Sequence, residues 1–191
     1  MNDISKYLFE IGELKRVSRS GWWLAGIKYP ETVAEHSFRT SIISYILAKM
    51  RGADAGKCTI MGLFHDVNET RLNDMHKVAQ RYIQSDEAEK QITKEQLRRL
   101  PENVSIELNT FINELEQKQT EEAKIVHDAD LLECLIQARE YQSQGFLVKD
   151  WIDNCRAGLK TEEAQRIADD CIKMEPSEWW DGLKLLANKE K

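Results

Sequence analysis

Turn-forming residues are scarce in this chain: nine glycines and three prolines in 191 residues, about half their usual share. Every reversal in a many-stranded sheet needs residues that accept special backbone angles. The scarcity, set beside 31% charged residues, predicts long helices and argues against a sandwich or a barrel. The length predicts a single domain over residues 1–191, since domains run to roughly 100–200 residues each. Such a chain can bury a core without disulfides or a metal as a staple. Its 41% hydrophobic content is that of a globular protein, neither disordered nor membranous.

Charge narrows the partners. Lys and Arg number 27 against 33 Asp and Glu, a net of −6. Duplex nucleic acid calls for a basic surface that displaces counterions, so no polymeric nucleic acid is expected. A small anion held by a metal and one or two basic residues is compatible with the balance. The start, MNDISKYLFEIGELKR, has no basic stretch followed by an apolar one, so no signal peptide is expected. The uncharged run Thr40–Ala48 falls far short of the roughly 20 residues of a membrane span and is read as a core helix. Cys58, Cys134, Cys155 and Cys171 lack paired spacing. They are read as small buried hydrophobes in a reducing cytoplasm.

Periodicity places the helices. Tyr7, Leu8, Ile11 and Leu14 mark a first helix over Ile4–Val17. A loop over 18–31 carries Arg19, Trp22 and Trp23. Thr32-Val33-Ala34-Glu35 is a capping box that opens a helix running to about Met50. Further helices are expected over Asp54–Phe64, near Asp86–Leu100, Asn103–Gln117 and Glu121–Gln144, with Gly145 as a C-terminal stop. Two more follow, near Lys149–Ala157 and Glu162–Met174. A last helix, about 176–188, would carry Trp179, Trp180, Leu183 and Leu186 and pack on the body or at a dimer interface. Residues 73–78 look irregular. No stretch alternates as a strand does, so the fold class is all-α.

The chemistry concentrates around His65-Asp66. Adjacent residues on a helix point about 100° apart, so this pair can share a metal only if ligands from elsewhere close the site. His36, one turn into its capped helix, is a candidate. So is a carboxylate of the long helix. Asp130 lies between Val126 and Cys134, and Asp128 between Ile125 and Leu132; periodicity alone does not choose between them. Imidazole with carboxylate is the ligand mix of divalent metals that keep open water positions.

The segments Val33-Ala34-Glu35-His36-Ser37, His65-Asp66-Val67-Asn68-Glu69 and Ala123-Lys124-Ile125-Val126-His127-Asp128-Ala129-Asp130 together resemble the H…HD…D signature of the HD-domain metal-dependent phosphohydrolases. Arg19-Ser20-Gly21-Trp22 ahead of the first His narrows the resemblance to the 5′-deoxynucleotidase branch. The likeness covers roughly residues 5–175. It implies a compact helical bundle, often a homodimer, with one divalent cation (Mn, Co, Mg, Ni, Fe or Zn) held by His36, His65, Asp66 and Asp130. It also implies catalytic carboxylates at Glu69 and Asp74, a phosphate-binding arginine at Arg19, and an aromatic near sugar and base at Trp22. In the bacterial enzyme that arginine and tryptophan are adjacent, and here two residues separate them. Lys77 is a further candidate phosphate contact, weighed against a solvated loop lysine. His76 and His127 are read as scaffold, and Trp23 as core.

The resemblance and the residue types point to one activity, removal of the 5′-phosphate from (deoxy)nucleoside monophosphates. A divalent metal polarises a phosphoryl oxygen and makes hydroxide available near neutral pH. An arginine fork matches phosphate oxygens, and a carboxylic acid can protonate the departing oxygen. Two alternatives stand beside it: a cyclic or polyphosphorylated nucleotide as substrate, and a non-catalytic dimeric binding protein with a structural metal. With four His in all, a second His-built metal site is disfavoured. Residues 86–122 hold ten acids and five bases and are read as a solvated helical arm or as a lid whose field rejects polyanions.

Overall fold

A computed structural model describes residues 2–183. Ten α-helices carry the fold, and no strand occurs among the described residues. They are α1 (Asn2–Ile11), α2 (Val33–Arg51), α3 (Ala55–Phe64), α4 (Glu69–Leu72), α5 (Lys77–Gln80), α6 (Asp86–Leu97), α7 (Glu102–Gln117), α8 (Glu121–Ser143), α9 (Lys149–Gly158) and α10 (Glu162–Lys173).

The helix ends follow from local chemistry. Thr32 and Glu35 make the full reciprocal capping box at the start of α2. Asp54 accepts from the Lys57 N–H to start α3, and Thr120 accepts from the Ala123 N–H to start α8. Each cap satisfies a backbone donor that a helix otherwise leaves orphaned. Gly52 ends α2 at φ 73°, in the left-handed region where glycine carries no steric penalty.

The centre is α2 packed on α3 and α8, with α9 and α10 against α8, and α7 against α3 and α8. Leu47, Met61, Ile125, Leu132 and Leu135 fill the interior. The α2–α3 crossing is unusually close. A Cβ placed on Gly62 would lie 2.7 Å from Ser44 Oγ and 3.2 Å from Ser41 Cα. Buried Ser37, Thr40, Ser41 and Ser44 supply the small side chains that this approach requires.

Three departures from the expected helices concern the site. The first helix does not run to Val17: it stops at Ile11 and tightens into a 3₁₀ turn over Gly12–Lys15. Val17 must accept from the Val33 N–H, and Ser18 bridges Thr32 in antiparallel fashion, which demands extended backbone. The expected loop over 18–31 contains a 3₁₀ turn, Ser20–Ala25. The irregular 73–78 stretch is shorter than expected, because α5 begins at Lys77 with His76 as its cap. At the C-terminal end, the described part of the helix expected over about 176–188 is a single 3₁₀ turn, Glu178–Trp180. Trp179 is 72% exposed there, and Leu186 lies outside the described residues.

Gly62→Ala should force Ser44 and the α2 backbone apart. Overpacking of this kind costs about 1–3 kcal/mol, to be read as a lower midpoint in urea unfolding with an unchanged slope.

Candidate metal centre

Three helices and two turns bring the candidate residues together. His36 comes from the first turns of α2, His65 and Asp66 from the turn that ends α3, and Asp130 from the middle of α8. His36 Nε2 lies 3.3 Å from His65 Nε2, 3.1 Å from Asp130 Oδ1 and 3.7 Å from Asp66 Oδ2. His65 Nε2 is 3.1 Å from Asp66 Oδ2 and 4.0 Å from Asp130 Oδ1.

The histidines are held from behind. His36 Nδ1 lies 2.5 Å from Glu133 Oε2, and His65 Nδ1 lies 2.9 Å from the Gly62 carbonyl. Both partners are acceptors, so both Nδ1 atoms donate, and both Nε2 atoms face the same small space. Outer contacts of this kind orient histidine ligands on a metal. The donor set of His36, His65 and Asp66, with ligand atoms all within 4.8 Å of one another, therefore fits a divalent cation, and Asp130 adds a carboxylate from the third helix. A second acidic group, Glu31 with Glu133, gathers around His36 as well. Its donors are already engaged: Trp22 Nε1 donates to Glu31, and Arg39 donates to Glu133.

The two aspartates left open by periodicity are separated by the structure. Asp128 is fully buried and accepts from the Lys160 N–H, the Thr161 N–H and the Thr161 hydroxyl. It ties α8 to the start of α10. Only Asp130 reaches the histidines.

Arg19 closes the other side. Its guanidinium lies 3.5 Å from Asp66 and 3.6 Å from Asp74. Burial favours the neutral form, but Asp66, Asp130 and Asp74 outweigh it and keep Arg19 charged. Asp74 is fixed by Ser20, whose N–H donates to Oδ2 at 2.5 Å and whose hydroxyl donates to the Asp74 carbonyl at 2.7 Å. The preceding Asn73 sits at φ 62°, ψ 163°, a conformation that costs a non-glycine residue on the order of 1–3 kcal/mol. Glu69, at the start of α4, has a buried Oε2 with no hydrogen-bond partner among the described residues. Burial, then the charges of Asp66 and Asp74, push its carboxyl up to about 10, so it holds a proton at neutral pH. Burial also opposes ionisation of Asp66, but His65, Arg19 and His36 hold it down to about 2.

Trp22 is a correction. It was expected near sugar and base, yet its ring is only 2% exposed. It stacks on Trp151 at 5.7 Å and meets Tyr141 edge-on at 5.1 Å, so it is a core residue that props Glu31. Trp23, expected in the core, is instead half-exposed, because successive residues of a 3₁₀ turn point about 120° apart. Lys77 is exposed on the first turn of α5 and shares none of these contacts. His76 accepts from the Ala79 N–H, and His127 lies 3.5 Å from Asp128, so neither joins the pair. The acidic arm α6–α7 walls a cavity of about 210 Å³ whose lining includes His65, Asn68, His127 and Asp130. The sequence reading missed Glu133, Arg39 and Glu31. A faint signal existed for the first: Glu133 is the lone charge in the run Leu131–Ile136.

The HD-domain family profile matches residues 11–168. The chain belongs to the HD-domain family. This HD-domain protein is 33% identical over 142 residues to the Mus musculus protein named 5′-deoxynucleotidase HDDC2, covering 72% of this chain and 69% of that one. It is 32% identical to the Homo sapiens protein of the same name, covering 72% and 67%. Its fold is similar to that of a conserved protein from Pyrococcus furiosus, at TM-score 0.72 and 27% identity over 88% of this chain and 99% of that one. A predicted metal-dependent phosphohydrolase from Magnetospirillum magnetotacticum shares the fold at TM-score 0.70 and 20% identity, covering 90% of each chain.

The two aspartates of α8 should respond oppositely. Asp130→Ala should lower divalent-metal affinity by about tenfold or more with little change in melting temperature. Asp128→Ala should cost about 2–4 kcal/mol through lost charge-assisted hydrogen bonds and leave affinity within a few-fold. Burial and Arg19 push His36 toward its neutral form, but Asp130 and Glu133 raise its pKa to about 10. A cation must displace that proton, so affinity measured by chelator competition should fall as pH falls from 8 to 6.

Proposed function

We propose that this HD-domain protein is a metal-dependent phosphohydrolase that removes the 5′-phosphate from nucleoside monophosphates, deoxyribonucleotides foremost, releasing nucleoside and phosphate. One observation carries the reading: a half-buried Arg19 and the Glu69 carboxyl, whose buried Oε2 has no hydrogen-bond partner among the described residues, lie beside His36, His65, Asp66 and Asp130. The relatives named 5′-deoxynucleotidase support it. A purely structural metal would need neither the arginine nor the orphaned acid. A cyclic or polyphosphorylated substrate worked on by two His-bound metals draws no support from His76 and His127, which are engaged elsewhere.

In this reading His36, His65, Asp66 and Asp130 hold one divalent cation, of the set Mn, Co, Mg, Ni, Fe and Zn. When bound, it supplies Lewis-acid polarisation of a phosphoryl oxygen and an activated water. Arg19 offsets the charge of the phosphate dianion, and its planar fork fixes the orientation of the phosphate oxygens. Asp74, held by Ser20, keeps that guanidinium in place. Glu69, whose burial favours the protonated carboxyl, can deliver a proton to the 5′-oxygen as the phosphorus–oxygen bond breaks. The small polar substrate enters from solvent near the α6–α7 arm. Lys77 has a supporting place at most, as a distant positive charge.

The protein acts in the cytoplasm; its four cysteines are free, in keeping with a reducing compartment. It also works as a homodimer. Phe38, Ile42, Tyr45, Ile46 and Met50 are exposed at helical spacing along α2, and an apolar stripe of this kind marks an association surface. Ile42→Glu with Ile46→Glu should halve the mass seen by light scattering; an unchanged mass places the contact elsewhere.

Phosphate release from a panel of ribo- and deoxyribonucleoside monophosphates, with each metal in turn, tests the activity. Metal-loaded wild type should exceed an Asp66→Ala control; equal release by both would refute the enzyme reading. Glu69→Gln should lower kcat by about 10²–10⁴. Arg19→Ala should lower kcat/KM by about 10–100-fold, the equivalent of one charge-assisted hydrogen bond.

A further inference from the structure

Glu133 is fully buried on α8, three residues after Asp130, and both of its carboxylate oxygens are engaged. Oε2 faces His36 Nδ1 at 2.5 Å. Oε1 accepts from Arg39 Nε at 2.9 Å. Arg39 continues to Gln137 at 2.8 Å and to Glu140 at 2.7 Å. Arg39 lies one helical turn after His36 on α2, and its three partners lie on one face of α8. The pair of helices that brings His36 to Asp130 is thus stitched by a single guanidinium.

Stability alone does not explain this arrangement, since well-packed apolar residues serve a buried position as well as a buried ion pair or better. The arrangement serves His36. A neutral imidazole has one lone pair, and the nitrogen that carries the proton decides where it points. An acceptor on Nδ1 keeps the proton there and leaves Nε2 free toward His65 and Asp130. His65 is handled in the same way by the Gly62 carbonyl, which can only accept. Arg39 occupies Oε1 and so turns Oε2 toward Nδ1.

We propose that Glu133 is a positioning residue of the metal centre, fixing the Nδ1–H tautomer of His36 and aiming Nε2 at the cation, with Arg39 holding the Glu133 side chain in place. The inference rests on the metal reading given above.

Glu133→Gln tests it. The carboxamide keeps the shape but has a single acceptor oxygen. Arg39 claims that oxygen, the amide NH₂ then faces Nδ1, and the tautomer inverts. Zn²⁺ and Mn²⁺ affinities from chelator competition should drop about 10–100-fold, while the melting temperature of the chelator-treated protein stays within a few degrees of wild type. Affinity within threefold of wild type overturns the proposal. A second measurement needs no variant: long-range ¹H–¹⁵N spectra of Zn²⁺-loaded wild type should show the His36 proton on Nδ1, and a proton on Nε2 overturns the proposal even if Glu133→Gln fails to fold. Wild type that binds neither ion removes the metal reading and this inference together. Binding by wild type with unchanged affinity in Glu133→Gln removes this inference alone.

Discussion

The crossing of α2 over α8, fixed by His36 and Arg39 on one helix and Asp130 and Glu133 on the other, is the contact on which the rest of the site depends. It sets the position of the first histidine and of the last carboxylate at once. It also explains how so many acids can be gathered in one place. Asp66, Asp74 and Asp130 share Arg19, Glu133 has Arg39, and Glu69 avoids the conflict by keeping its proton. Buried charges are tolerated only when paired or neutralised, and here each carboxylate follows one of those two routes.

Much of this was legible beforehand because it is local. Caps and stops at Thr32, Gly52, Asp54 and Thr120 act within four residues, so the boundaries of α2, α3 and α8 could be read to within a residue or two. The pairing of His36 with His65 and Asp66 was also legible, through the spacing and order that the chain shares with a known signature. Other features depend on distant partners and left little trace. Asp128 and Asp130 have equivalent helical neighbours; only the loop before α10, more than thirty residues on, distinguishes the tether Asp128 from Asp130, which faces His36. The resemblance implies a place near sugar and base for Trp22, but the aromatic space between Tyr141 and Trp151 draws it inward. Glu133 looked like one more acid in an acidic chain, and its meaning depends on Arg39, 94 positions away.

The acidic surplus also takes on structure. Part of it is paired across elements, Lys57 with Glu114 and Arg71 with Glu95, so the α6–α7 arm is tied to the bundle at both helices. Surface pairs of this kind add little stability. They do fix the arm's register beside the cavity that borders His65 and Asp130.

Gly62 contributes twice over. Its missing side chain lets α3 press against α2, and its carbonyl anchors the ring of His65. On the His65 side, the gap between the two imidazoles is therefore gauged by the close approach of two helix backbones, while Glu133 gauges it on the His36 side. A spacing set in this way is insulated from change elsewhere: the outer faces of both helices can vary freely, toward a new partner or a new surface charge, while the aperture between the histidines keeps its width.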